Sequence, residues 1–260
     1  MIAGTGLLPI IRFYGGVKLP PVTALLADLR PILAVGAPAI LTQLATPVGQ
    51  AWVTRSMAEF GEDAVAGMAI VGRLTPLAFA VIFALSGAVG PIIGQNYGAG
   101  NFDRVRQALN AAALFVALYI GFVAVLLFAL RAPIAALFDA DGVTRDLIYW
   151  FCGPLALAFF FNGLVFVANA ACNNLGHALQ STWINWGRHT LGTIPFVIAG
   201  AWAFGAPGVL IGQAAGGVVF GVLAWVLVKR LVSNASLRSE AADPFAKEAR
   251  AITLFHRRHH

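Results

Sequence analysis

Charge is scarce in this chain, and long stretches have none. Asp, Glu, Lys and Arg make up 11% of its 260 residues, where a soluble domain carries about a quarter. None of the four occurs in 31–54, 74–102, 107–130, 147–187 or 189–228. Each of the first three runs can cross a bilayer as one helix, which takes about 20 apolar residues. The last two are about twice that length, and turn-forming residues interrupt them. A soluble core does not need such runs. Hydrocarbon does, because a spanning backbone must satisfy its own hydrogen bonds and carries charge only at high cost. The runs also lack the apolar/polar alternation of a membrane β-barrel, which excludes one. Cysteine is scarce too. Cys152 and Cys172 would stand about 30 Å apart on one helix, too far for a disulfide, and read as small packing residues. With 59% hydrophobic residues, the chain reads as an all-α polytopic membrane protein.

The pattern predicts six transmembrane helices: Pro31 to Val53, Ala64 to Ile93, Gln107 to Leu130, Asp146 to Cys172, Thr182 to Trp202 and Val209 to Val228. Asp28 is positioned to cap the first, with Pro31 in its opening turn. The Gly-rich stretch Gly94–Gly100 reads as a tight reversal, with Gly98 in a backbone conformation that a branched side chain resists. Asn101 would cap the next helix. Asn173–His177 and Phe204–Gly208 read as turns. These boundaries imply a lead segment, 1–30, a six-helix region, 31–230, and a basic tail, 231–260. The lead segment is an apolar stub up to Val17, a poor signal peptide, followed by a linker. The tail holds a possible short helix opening at Asp243-Pro244.

The formal charge of +6 follows this topology and does not indicate nucleic-acid binding. Arg12, Lys18, Arg30, Arg104, Arg106, Lys229, Arg230 and the tail fall on one side. Glu59, Glu62, Asp63, Asp139, Asp141 and Asp146 fall on the other, with Arg55, Arg131 and Arg145. The positive-inside rule then puts both termini in the cytoplasm of an inner-membrane protein.

Polar residues inside the helices are few. Gln43, Thr46 and Gln50 share one helix face beside Pro47, which frees carbonyls there. With Asn162 and Asn169 they are candidates to line a substrate cavity, the alternative being inter-helix hydrogen bonds. Arg188 interrupts an apolar run. Either it snorkels to the nearby surface or it serves substrate or ion inside the membrane. Gly212-Gln-Ala-Ala-Gly216 and its neighbours form a small-residue stripe for close helix packing. No nucleophile–base pair or metal-ligand cluster occurs in the helices, and the terminal His256-Arg-Arg-His-His260 reads as a basic tail. The reading is accordingly not an enzyme, and it needs no cofactor or metal.

Three stretches resemble a known family. Pro38-Ala-Ile-Leu, Phe60-Gly-Glu-Asp-Ala-Val-Ala-Gly67 and Gly90-Pro-Ile-Ile-Gly-Gln-Asn-Tyr-Gly-Ala-Gly-Asn-Phe-Asp-Arg-Val-Arg106 are similar to the multidrug and toxic compound extrusion (MATE) family. Gly94, Gln95, Asn96, Gly98 and Ala99 carry the most specific element, and Asn174-Leu-Gly176 also fits. The resemblance implies two pseudo-symmetric six-helix lobes exporting organic compounds against protons or sodium ions. Order and spacing resemble the second lobe. The implied partners are membrane lipids, a small organic substrate, and a first lobe or a second copy of the chain. In some members of the family, acids in the first and fourth helices of this lobe bind the coupling cation. Here those helices hold no Asp or Glu between their ends, and Thr46 stands about where the first acid would be. The coupling ion, proton or sodium, is therefore expected not to be bound by an acid in this lobe. A non-transporting membrane subunit or remnant is the main alternative. A lipid-linked-saccharide flippase of the same superfamily is another.

Overall fold

The computed structural model describes residues 22–242. Expectations for the lead segment up to residue 21, for the tail from Asp243 onward and for the terminal histidines lie outside the described residues. The described regular structure is all helical, with no strand. It comprises α1 (Val22–Ala58), α2 (Glu62–Gly98), α3 (Phe102–Leu137), α4 (Gly142–Trp150), a π turn (Phe151–Leu155), α5 (Ala156–Asn174), α6 (Ala178–His189) and α7 (Ile194–Ala242). The chain divides into two compact units, Met1–Ile40 and Leu41–His260. The described part of the first is the opening of α1, and the second holds everything discussed below.

Within the second unit, α5 is the helix around which α2, α3, α6 and α7 gather. It can take that place because small residues let neighbours close in. A Cβ on Gly163 would stand 3.4 Å from Ile82 of α2 and would also collide with Val116 of α3. On α3 the buried residues Val105, Leu109, Ala112, Val116, Ile120, Val123 and Leu127 recur every three or four positions, giving one stripe on the core. The opposite face is equally apolar: Leu114, Leu118, Phe122 and Val125 are all exposed. Water would not tolerate that face, whereas lipid matches it. Four helical stretches among the described residues are long and apolar enough to cross a membrane: Glu62–Gly98, Phe102–Leu137, Gly142–Asn174 and Ala178–Leu237. This is a multi-pass membrane protein.

The longest stretch folds back on itself. Gly205 takes φ 65° and ψ −143°, a conformation open to glycine, in the middle of α7. Beyond it the backbone of Gly208 meets Gly200, Gly212 meets Phe196 and Gly216 meets Gly192. The pairs step apart symmetrically about Phe204, next to Gly205, so α7 is a helical hairpin. Its arms touch through the small-residue stripe, and the turn falls within the expected Phe204–Gly208.

Several expected boundaries moved. α1 begins at Val22, so Asp28 and Pro31 lie inside it, and neither opens the helix. α2 runs on to Gly98, so Gly94–Gly98 is helix rather than loop. The reversal is confined to Ala99–Asn101, and the left-handed residue is Gly100, at φ 73°, not Gly98. Nothing in Gly94-Gln-Asn-Tyr-Gly98 interrupts the i→i−4 ladder, and the Asn96 side chain adds a bond to the Ile92 carbonyl at 2.8 Å. Asn101 does precede α3, but its side chain makes no capping bond. The fourth expected helix is divided by the π turn at Gly153-Pro154, where Gly153 is non-helical. The fifth is divided after His189. There the hydroxyls of Thr190 and Thr193 donate to the carbonyls of Trp186 (2.6 Å) and Arg188 (2.8 Å).

Candidate functional site

The interruptions of the helices border a common space. A cavity of about 260 Å³ opens between α1, α2, the π turn, α5, α6 and the second arm of α7. Each interruption helps to shape it. The π turn sets Phe151 and Leu155 in the wall, and such turns recur at functional sites. In α2, Phe79 departs from helical geometry (φ −116°, ψ 17°) shortly after Pro76. At that point the Tyr119 hydroxyl donates to the Ala78 carbonyl at 2.9 Å, as a polar group at membrane depth requires. The break after His189 leaves Arg188 and His189 at the end of α6 and Thr193 just beyond it, all three on the cavity.

The polar wall is a connected network. Arg188 donates through Nη1 to Oδ1 of Asn162 at 2.7 Å. Its Nη2 lies 2.8 Å from Nε2 of His189. A guanidinium only donates, so Nε2 accepts and carries no proton in this arrangement. Thr46 Oγ1, 3.2 Å from the same nitrogen, therefore donates to it. Gln213 donates to Gln50 at 2.7 Å, joining α7 to α1. A seam on one side of α1 fixes that helix against α6. The Thr42 and Thr182 hydroxyls are 2.7 Å apart, and the Trp186 indole donates to the Leu41 carbonyl at 2.9 Å. Gly49 makes room for the histidine, since a Cβ there would stand 2.7 Å from Nδ1 of His189. The wall beside this network is aromatic, with Phe159 and Phe166 on the same face of α5 as Asn162. Phe159 stacks on Phe79 at 3.8 Å, Phe83 meets Phe159 and Phe166 edge-on, and Arg188 lies 5.9 Å above the Phe166 ring.

Of the residues singled out from the sequence, Thr46, Gln50, Asn162 and Arg188 line this cavity. Gln43 and Asn169 do not. Gln43 shares the helix face of Thr46 but sits a turn further along, beyond the end of the cavity, and is exposed. The Asn169 amide oxygen is buried among helices without a hydrogen-bond partner. Arg188 does not snorkel: its head group turns to Asn162. Thr193 and the aromatic wall were missing from the sequence reading, and His189 and Gln213 were not among the cavity candidates named from it. His189 and Gln213 were visible as polar breaks in apolar runs. The phenylalanines carried no signal among the chain's 19. Among the described residues no group of His, Cys, Asp and Glu could hold a metal ion.

This geometry has counterparts among known proteins. The MatE family model matches residues 38–198, more than half of the chain. The chain belongs to the MATE family. An uncharacterised 21 kDa protein from the iaaL 5′ region of Pseudomonas savastanoi is 35% identical over 231 residues, covering 85% of this chain and 72% of that one. An FAD transporter of Shewanella oneidensis is 26% identical over 205 residues, 79% of this chain and 45% of that one. The crystal structure of the Vibrio cholerae MATE transporter VcmN in the bent form superposes with a TM-score of 0.76 at 23% identity, which shows the fold. It covers 90% of this chain and 54% of that one. The chain thus spans about half the length of that solved MATE transporter. In this member, part of the MATE signature does packing work. A Cβ on Gly90 or on Gly94 would stand 2.6 Å or 3.1 Å from the Asn174 amide, so the glycines of α2 seat the end of α5.

Proposed function

We propose that this chain forms one six-helix lobe of a MATE-type exporter. It carries small organic compounds across the inner membrane in exchange for protons or sodium ions. The supporting observation is the cavity: amide, hydroxyl and guanidinium groups beside aromatic rings, enclosed by helices without charge over most of their length. A subunit that only packs against partners has no need of such a space. Counting α1, α2, α3, α4 with α5, α6 with the first arm of the α7 hairpin, and its second arm as one crossing each gives six. Both termini then lie in the cytoplasm, with residues 31–230 as the lobe. Alternating access works by two repeats moving against each other about a site between them. A first lobe, or a second copy of this chain, supplies the other half. Among the described residues no carboxylate lines the cavity, which supports a coupling ion bound outside this lobe. The relative named as an FAD transporter supports a substrate range beyond cationic drugs.

The test is efflux from vesicles under an imposed proton or sodium gradient, with one cationic and one anionic dye. The chain is assayed alone and with a MATE first lobe supplied in cis. Gradient-driven efflux only with both lobes is expected. Efflux by the chain alone, shown monomeric by cross-linking, would refute the one-lobe reading. No efflux from a folded two-lobe protein would refute transport.

A further inference from the structure

Arg188 gives the cavity a positive charge that no residue of opposite sign balances. Its two hydrogen bonds go to neutral acceptors, Asn162 Oδ1 and His189 Nε2. Among the described residues no Asp or Glu lines the cavity. Among the described residues the one ion pair, Arg106 with Asp103, lies at the start of α3. A guanidinium has more N–H donors than these two bonds use, and its planar fork matches carboxylate, sulfonate and phosphate oxygens. The other polar groups on the wall, the Gln50 and Gln213 amides and the Thr46 hydroxyl, are uncharged. Beside them, flanking Asn162 on the same face of α5, Phe159 and Phe166 border the cavity and offer apolar ring surface to a flat body.

We infer that the cavity selects a flat aromatic anion, with its acidic group on Arg188 and its ring against Phe159 and Phe166. This names the substrate class and rests on the transporter reading. A cation entering here would meet an uncompensated like charge where few waters screen it, so the site discriminates against cations.

Binding to the purified chain in zwitterionic-lipid nanodiscs tests this without needing transport. The probes are flavin mononucleotide, its uncharged ring analogue lumiflavin, and the flat cation ethidium. Flavin mononucleotide is expected to bind more tightly than the other two. Arg188→Gln should weaken it about tenfold or more, the loss of a charge-assisted bond, and leave lumiflavin unchanged. Unchanged lumiflavin binding also certifies that the variant is folded. Asn162→Asp keeps the arginine but gives it a carboxylate partner, and should produce the same selective loss. Arg188→Lys should retain most of the preference. Tighter binding of ethidium, or equal binding of flavin mononucleotide by wild type and Arg188→Gln, would overturn the inference, as would no binding of any probe. Arginine-dependent binding without efflux by the two-lobe protein would leave the site standing and remove the transport reading.

Discussion

Gly212→Ala adds one methyl group at the tightest seam of the molecule. In α7 that carbon would fall on the Phe196 carbonyl, 2.6 Å from its carbon, and 2.9 Å from Cα of Val197. Carbon atoms rest at about 3.5–4.0 Å, so the arms of the hairpin would have to part by roughly 1 Å. The obstructing atoms are backbone, so no rotamer change relieves them. The parting would also loosen the contacts of Gly208 with Gly200 and Gly216 with Gly192. Overpacking of this kind costs about 1–3 kcal/mol. Set against it is the better helix propensity of alanine, about 1 kcal/mol. The expected net loss is up to about 2 kcal/mol. Gly121→Ala on α3 is the matched control, because a Cβ there meets nothing within 4 Å. It should be neutral or gain up to about 1 kcal/mol. Unfolding in mixed micelles by added SDS, followed by tryptophan fluorescence, measures both. Equal midpoints for the two variants, or a more stable Gly212→Ala, would show that the arms are not in backbone contact.

The α2–α3 turn gives a second pair. Gly100→Ala should cost about 1 kcal/mol for a left-handed alanine, while Gly98→Ala, helical and open on its outer side, should cost nothing in the same titration. Tyr119→Phe leaves the ring and removes the bond to the Ala78 carbonyl, for a loss of about 1 kcal/mol. Gly49→Ala pushes on the His189 ring, so its binding of flavin mononucleotide should fall while the unfolding midpoint moves less than for Gly212→Ala. Cysteines placed at Glu62 and Asn101 should react from opposite sides of the membrane with an impermeant thiol reagent, and labelling from the same side would break the proposed topology.

Charge distribution alone determined that the chain is helical and lives in lipid, because hydrocarbon leaves a charge-free run of about 20 residues few alternatives. Turn-forming residues marked the breaks at Gly61, Gly176 and Gly205. Each of these is a glycine that takes positive φ where a side chain would be strained. The small-residue stripe announced a close helix contact, since only a missing Cβ leaves that room. Other features needed the folded molecule. The helix around Gly94 is held because Gly90 and Gly94 press against Asn174 in α5, about eighty residues away along the chain. The π turn at Gly153-Pro154 and the break after His189 are interruptions whose freed carbonyls are satisfied locally or by neighbours, so the apolar run continues through them unmarked. Whether Arg188 reached for the surface or the interior was decided by the rotation of α6 about its axis. The seam of Leu41, Thr42 and Thr46 against Trp186, Thr182 and His189 sets that rotation, and a periodic pattern on a single helix cannot encode it. Gln43 shares the face of Thr46 and Gln50 on α1 but falls outside the cavity because it sits a turn further along, and where the cavity ends along α1 is also set only by the folded molecule.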